Sequence, residues 1–320
     1  MTAAPAEAPA VAPAAPAAAT RVSPPASATR RVHDFAPIGL EELVERASLQ
    51  TRVDRKYVVP VAALDGILAD IAASGETGGA APESSAARVL ELGGIRDFRY
   101  ESVYFDTPDL RSFWMAAHAR RRRFKMRTRS YVDSATAYLE VKTRGARSAT
   151  VKDRLEYEFA DRALLNPHGL DYVHDTLDTA GFDDIEPENL VATLITRYRR
   201  TTLFVPGDGL RPESRATIDT HLSWAIGDGG TRAGRGHALD TPGIVIVETK
   251  SGSRASAVDR ILWAHGHRPA TISKYGTGLA ALRPELTANK WSRMLRRHFA
   301  PGQTRPAASP SSFPTLVPAS

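Results

Sequence analysis

Apolar and polar positions alternate with a period of two along much of the chain, which is the pattern of strands that bury one face. The alternation predicts strands near 52–59, 99–105, 119–131, 136–143, 152–160, 194–205, 214–224 and 243–250. Short polar turns join several of them, so neighbours are expected to pair antiparallel. Helical spacing is rarer. Leu40, Leu43, Val44 and Ala47 share one helical face, as do Val61, Leu64, Leu68 and Ile71, and further helices are expected over 167–181, 254–265 and 284–298. Closure removes exposed sheet edges, so the expected fold is α+β, an eight-stranded antiparallel closed β-barrel with flanking helices.

The polar faces of these strands are unusually charged. Arg121, Arg123, Lys125, Arg127 and Arg129 alternate with Arg122, Phe124, Met126 and Thr128, which puts a row of cations on one face. Leu139 and Val141 oppose Glu140 and Lys142, and the strand from Arg154 sets Arg154, Glu156 and Glu158 against apolar neighbours. Arg52, Asp54 and Lys56 alternate with Val53, Arg55 and Tyr57; Arg215, Thr217 and Asp219 alternate with Ala216 and Ile218. A strand containing Val245 and Val247 ends in Glu248 and Lys250. Two arrangements satisfy this pattern. An ordinary small barrel puts its charges outside; an inverted one lines a wide, wet interior with them and covers the apolar faces with helices. The inverted form needs counter-charge, because buried unpaired charge is costly. Carboxylates, a bound polyanion and a divalent metal could supply it.

Outside this region the composition changes. Residues 1–32 are dominated at their start by Ala, Pro, Ser and Thr, and 300–320 repeat that bias, so both are expected to be disordered flanks of one domain over 33–299. The first segment lacks a basic start followed by an apolar core, so it does not read as a secretory signal. Residues 74–87 read as a loop within the domain, and Gly227 to Gly236 as a hairpin loop.

Charge and composition narrow the chemistry. The net charge is +6 over 320 residues, with 42 Lys and Arg against 36 Asp and Glu, which suggests a polyanionic partner. The absence of cysteine excludes disulfides, thiolate metal sites and cysteine nucleophiles. The histidines form no zinc-binding spacing, and there is neither a Walker-type loop nor G-x-G-x-x-G. Aromatic residues are 7% of the chain and do not interleave with the basic row as stacking platforms would, which argues against nucleic acid. No apolar run is long enough for a membrane-spanning helix.

A series of short motifs carries a more specific signal: Arg52-Val-Asp-Arg-Lys56-Tyr57, Val103-Tyr-Phe-Asp106-Thr-Pro108, Lys125-Met-Arg127-Thr-Arg129-Ser-Tyr131 and Leu139-Glu140-Val-Lys142, followed by Tyr198-Arg-Arg200-Thr, Arg215-Ala-Thr-Ile-Asp219-Thr, Val247-Glu248-Thr-Lys250 and Ile272-Ser273-Lys274-Tyr275. In this order they resemble the VTC-domain polyphosphate polymerases, a branch of the triphosphate tunnel metalloenzymes whose barrel is of the inverted kind. The resemblance spans roughly residues 33–284. It implies that Lys56, Arg127, Arg129, Lys142, Arg200, Arg215, Lys250 and Lys274 line a tunnel and act on phosphates. Arg52, Arg123, Lys125, Tyr198 and Ser273 would bind substrate, and Glu248 would ligate Mn²⁺ or Mg²⁺. Thr271 stands where some relatives carry another lysine.

The reaction implied is transfer of the terminal phosphoryl of ATP to a growing polyphosphate. Hydrolytic relatives open with a Glu-x-Glu-x-Lys strand; here Arg52 takes the first place, which favours phosphate over water as nucleophile. A triphosphatase and a non-catalytic polyphosphate or inositol-phosphate binder are the alternatives. Glu140 and Glu158 are expected to pair with tunnel arginines rather than bind metal. Arg120, Arg121 and Arg122 are expected to form a surface funnel. A cytoplasmic location is implied, with peripheral membrane attachment and a membrane-protein partner for product export as further expectations. The basic stretch Lys290 to Arg297 fits either a membrane-surface helix or a lid over the tunnel wall.

Overall fold

The computed structural model describes residues 30–46, 53–74, 86–144, 150–207, 213–227, 237–286, 289–299 and 304–306. Arg52 and most of the flanking segments 1–32 and 300–320 therefore lie outside the described residues, as do most of the predicted 74–87 and 227–236 loops. A short 3-10 turn, Arg30–Asp34, already belongs to the folded unit, since Val32 is buried.

The strands are β1 (Ala36–Ile38), β2 (Val53–Pro60), β3 (Arg88–Leu90), β4 (Phe98–Asp106), β5 (Arg123–Tyr131), β6 (Thr136–Arg144), β7 (Thr150–Tyr157), β8 (Val191–Val205), β9 (Ser214–Ile226), β10 (His237–Asp240), β11 (Ile244–Ser251) and β12 (Thr304–Pro306). The helices are α1 (Leu40–Arg46), α2 (Val61–Ala73), α3 (Arg111–Ala117), α4 (Pro167–Thr179), α5 (Ala257–Ala264), α6 (Lys274–Leu282) and α7 (Ser292–His298). All eight expected strands form. They lie in the order β2, β11, β9, β8, β4, β5, β6, β7, with every neighbouring pair antiparallel. The shorter β1, β3, β10 and β12 extend this run into one 12-stranded sheet among the described residues.

The expected closure does not occur: among the described residues no ladder joins β2 to β7. Both strands carry charge at their edges, Asp54, Arg55 and Lys56 on β2 and Lys152, Asp153, Arg154 and Glu156 on β7. Charged side chains protect an unpaired edge without the need for a hydrogen-bonded partner. The sheet nevertheless curls, since Asp54 and Lys56 of β2 share one cavity with Lys125 of β5 and Lys142 of β6. The result is an open trough.

The charged faces point into this trough and the apolar faces point out under helices. Along β5 the apolar and small positions Phe124, Met126, Thr128 and Ser130 are buried while Arg123, Lys125, Arg127 and Arg129 are half-buried. α4 covers the outer side of Val103, Phe124, Met126, Leu139 and Val141. α2 and α5 cover Tyr57, Val59, Ala216, Ile218, Val245 and Val247. Local signals start these helices where they are needed. Asn166 caps α4 by accepting from Gly169 N, with Pro167 at the first helical position, and Ser256 and Asp259 form a capping box on α5.

One half of the concave face is apolar, and α6 fills it. Tyr275 and Leu279 pack there with Val58, Tyr104, Leu194, Leu222, Trp224 and Ile246. A bulge in β9 makes this possible. Arg197 pairs with Ser223 but Arg199 with Thr220, and His221 takes a φ of 50°. The extra residue reverses the alternation, so Arg215, Thr217 and Asp219 before it and Leu222 and Trp224 after it occupy the same face. Two glycines let α6 approach: a Cβ on Gly276 would stand 2.2 Å from Trp291, and one on Gly278 2.2 Å from Trp224. None of the described helices is long and apolar enough to cross a membrane.

Candidate functional site

Three carboxylates, Glu140 and Asp219 buried and Glu248 half-buried, organise the cations of the trough. On β6, Glu140 accepts from Arg127 Nε at 2.8 Å and pairs with Lys152 at 3.0 Å, while Arg129 lies 3.7 Å away. Burial pushes the Glu140 carboxyl up, but Arg129, Lys152 and Arg154 outweigh it and hold the group below the usual carboxylate range. On β9, Asp219 is gripped by Arg200 Nε at 2.6 Å and Nη2 at 2.8 Å, and Lys274 Nζ donates to the same carboxylate. Its carboxyl is likewise lowered, burial being overcome by Arg200 and Lys274. On β11, Glu248 accepts from Lys250 Nζ and has Lys56 Nζ at 3.9 Å; against burial, these cations hold it well below the ordinary range. Asp54 lies 3.4 Å from Lys250.

Aromatic rings pack between these groups. Tyr198 stacks on Tyr100 at 5.3 Å, with the Lys274 ammonium 4.4 Å and the Arg200 guanidinium 5.2 Å from its ring centre. Arg127 Nη1 also donates to Tyr104 OH at 3.1 Å. Ser273, the N-cap of α6, accepts from Gly276 N and takes a hydrogen bond from Lys125 Nζ at 3.1 Å. Asp106 receives Tyr275 OH and the Ser112 and Phe113 amides, so the Asp-Thr-Pro turn anchors α3 and α6 together.

Beyond Lys125 the trough opens into a cavity of about 300 Å³ lined by Lys56, Lys125, Lys142, Arg123, Arg144 and Lys290, with Asp54 its one lining carboxylate. Burial, then Lys56, Lys142, Lys290 and Arg123, push the Lys125 ammonium down to about 7. Arg129 Nε and Thr217 Oγ1, both buried, have no hydrogen-bond partner among the described residues. Unfilled donors beside crowded cations are what an anionic ligand would satisfy.

The predicted residues therefore converge. Lys56, Arg127, Arg129, Lys142, Arg200, Lys250, Lys274, Glu248, Tyr198, Ser273, Lys125 and Arg123 meet along the concave face or its mouth, and Arg215 stands opposite Lys250 in the β9–β11 ladder. Arg121 is exposed and precedes β5, so the inward row begins at Arg123. Glu140 is ion-paired as expected; Glu158 lies past the end of β7 and is exposed. The site adds Lys152, Asp219, Arg144 and Lys290. The first two share faces with recognised charged positions, whereas Arg144 and Lys290 come together only through the tertiary fold.

Among the described residues, no three His, Cys, Asp or Glu side chains gather as a ready-made metal cage. Glu248 is instead a single hard oxygen donor on β11, beside Lys250 and Lys56. A lone carboxylate suits a hard divalent cation such as Mg²⁺ or Mn²⁺, which takes oxygen ligands and needs no all-protein cage.

The curled sheet thus presents a trough lined by arginine and lysine side chains. The chain matches the VTC domain over residues 51–283 and belongs to that family. No curated protein matches it. Among solved structures, it is similar to a putative adenylate cyclase from Bacillus halodurans, with 10% identity, a TM-score of 0.40, and coverage of 70% of this chain and 94% of that one. It is also similar to a putative adenylyl cyclase from Hippeastrum described as having a dominant triphosphatase activity, at 13% identity and a TM-score of 0.39, covering 74% and 97%. A third likeness, the PH1819 protein of Pyrococcus horikoshii, has 13% identity and a TM-score of 0.33, covering 69% and 95%.

Proposed function

We propose that the protein is a metal-dependent polyphosphate polymerase that transfers the terminal phosphoryl of ATP to a polyphosphate chain lying in the trough. The observation that carries this reading is the commitment of Glu140, Asp219 and Glu248 to cations. A hydrolase needs a group to orient or deprotonate water. Here these three carboxylates are held ionised by the cations they position. The terminal oxygen of a phosphate chain is already ionised and needs no base. Its difficulty is repulsion between two anions, which arginines and lysines relieve.

In the transfer, an oxygen of the chain terminus bonds to the γ-phosphorus of ATP, the bond to the β-phosphate oxygen breaks, and ADP leaves with that electron pair. Arg127, Arg129 and Arg200 offer guanidinium forks suited to phosphate oxygens. Lys56, Lys142, Lys250 and Lys274 add charge, and the pairing with Glu140 and Asp219 fixes where that charge lies. Glu248 would hold a divalent ion, whose positive charge would offset the negative charge of the transferring group.

The test is incubation of purified protein with ATP and Mn²⁺ or Mg²⁺, measuring polyphosphate, ADP and free phosphate separately. Polyphosphate matched by ADP, and lost on Lys142→Ala, supports the polymerase. Free phosphate without polymer would replace it with a triphosphatase. Intact ATP under both metals and with a short primer would leave a polyphosphate-binding module.

A further inference from the structure

The VTC match ends at residue 283, yet the outer cavity of the trough is completed by Lys290. The residue is held in place by its neighbour. Trp291 is buried over Gly276 of α6 and against Phe113, with ring centroids 5.6 Å apart, and Lys290 Nζ donates to Ala116 O at 2.7 Å. The same cavity is lined by Arg123, at the start of β5, and Arg144, at the end of β6, which stand opposite each other in the ladder. Arg123 donates to a carbonyl, that of Arg120, and Arg144 Nε is buried without a hydrogen-bond partner. The one carboxylate among the described lining residues, Asp54, is engaged with Lys250.

This end of the trough therefore contrasts with its middle. At Arg127, Arg129 and Arg200, buried carboxylates balance the cations. At Arg123, Arg144 and Lys290, like charges crowd one cavity with no carboxylate of their own, and each of Arg123 and Lys290 has its charged form disfavoured by burial and by Arg144. An extended anion is what would relieve that crowding. Three residues of β5 separate Arg123 from Arg127, so the two lie about 13 Å apart along the strand.

We propose that Lys290, Arg123 and Arg144 form an outer phosphate subsite that holds a polyphosphate chain away from the reacting end, with Lys290 contributed by a segment beyond the VTC-matched region. The subsite sets a preference for long chains over short ones. It rests on the reading of the trough as a polyphosphate channel.

The experiment measures binding rather than turnover, by calorimetry at fixed salt, with tripolyphosphate and with long-chain polyphosphate. Lys290 is solvent-exposed, so Lys290→Ala spares the fold; Arg144→Gln is the second variant, and thermal melting checks both. The expected result is a loss of about tenfold in long-chain affinity and of less than about threefold for tripolyphosphate, the size of one charged hydrogen bond. Wild-type protein that binds both probes, with variants that keep the same affinity ratio, overturns the subsite and leaves the channel standing. Equal losses for polyphosphate and a single-stranded oligonucleotide overturn it too, since they mark general surface attraction. Wild-type protein that binds neither phosphate probe overturns the channel and the subsite together.

Discussion

Arg200 holds Asp219 in a bidentate grip on the floor of the trough, Nε donating to one carboxylate oxygen at 2.6 Å and Nη2 to the other at 2.8 Å. Lys274 reaches the same carboxylate from α6, so one acid fixes two cations from different elements. Asp219→Asn leaves both cations without their partner. It should cost about 3–5 kcal/mol, the range for breaking a buried pair, and be read as a lower melting temperature. Because the folded-state carboxyl is depressed, its contribution is present at neutral pH and is lost as pH falls through that lowered value. The variant should lack this part of the acid transition. An unchanged melting temperature would remove Asp219 from its organising role.

Lys125 predicts two pH effects of opposite sign. Its ammonium is crowded by Lys56 on β2, Arg123 on β5, Lys142 on β6 and Lys290, with Ser273 as its hydrogen-bond acceptor, and titrates at about 7. Affinity for tripolyphosphate should weaken as pH rises above about 7, by at most about tenfold per unit, because the anion favours the charged lysine. The ligand-free protein should behave inversely. The unfolded lysine titrates near 10.4, so the unfolded state binds more protons between the two values and stability rises with pH there. Lys125→Met should flatten both curves, and titration calorimetry with melting over pH 6 to about 9 would measure them.

Glu248→Gln separates catalysis from binding. Lys250 and Lys56 share this carboxylate, and neutralising it frees both for phosphate. Turnover of ATP should fall by about 100-fold or more, the scale of one electrostatic contact in a reaction site. Tripolyphosphate affinity without added metal should stay equal or rise. A parallel loss of both would mean that Glu248 serves the structure of the trough instead.

Gly278→Ala tests the seating of α6. The new methyl would meet Trp224 at 2.2 Å in a filled core, so about 1–3 kcal/mol of stability should be lost through overpacking. Because the same helix presents Ser273 and Lys274, KM for ATP should rise with it. Denaturant unfolding and steady-state kinetics on one preparation would show whether the two changes move together.

The strands and their inverted faces were legible because strand alternation is local: Phe124, Met126 and Thr128 between basic residues announce a two-faced element whatever surrounds it. Closure was not legible, since pairing β2 with β7 depends on residues far apart in sequence. α6 was hidden by Gly276 and Gly278, which weaken helix propensity yet admit Trp291 and Trp224. α3 was hidden by its brevity, beginning after Leu110 at a φ of 60°. The basic C-terminal stretch supported two readings until the burial of Trp291 placed its start against the trough, while Arg293, Arg296 and Arg297 remain outward. Similarly, the pattern identified Glu140 and Asp219 as charged positions, but only the tertiary fold pairs them with Lys152 of β7 and Lys274 of α6.

Among the described residues no ladder seals β2 to β7, and that changes how a polymer would enter. A sealed ring must find a free end and be threaded like a needle's eye. A slot can be loaded from the side at any point along a filament. Capture would then quicken with filament length at a fixed number of molecules, whereas threading would follow the number of ends. Circularised polyphosphate, which has no end to offer, would distinguish the two: a ring can be laid into a slot but cannot be passed through an eye.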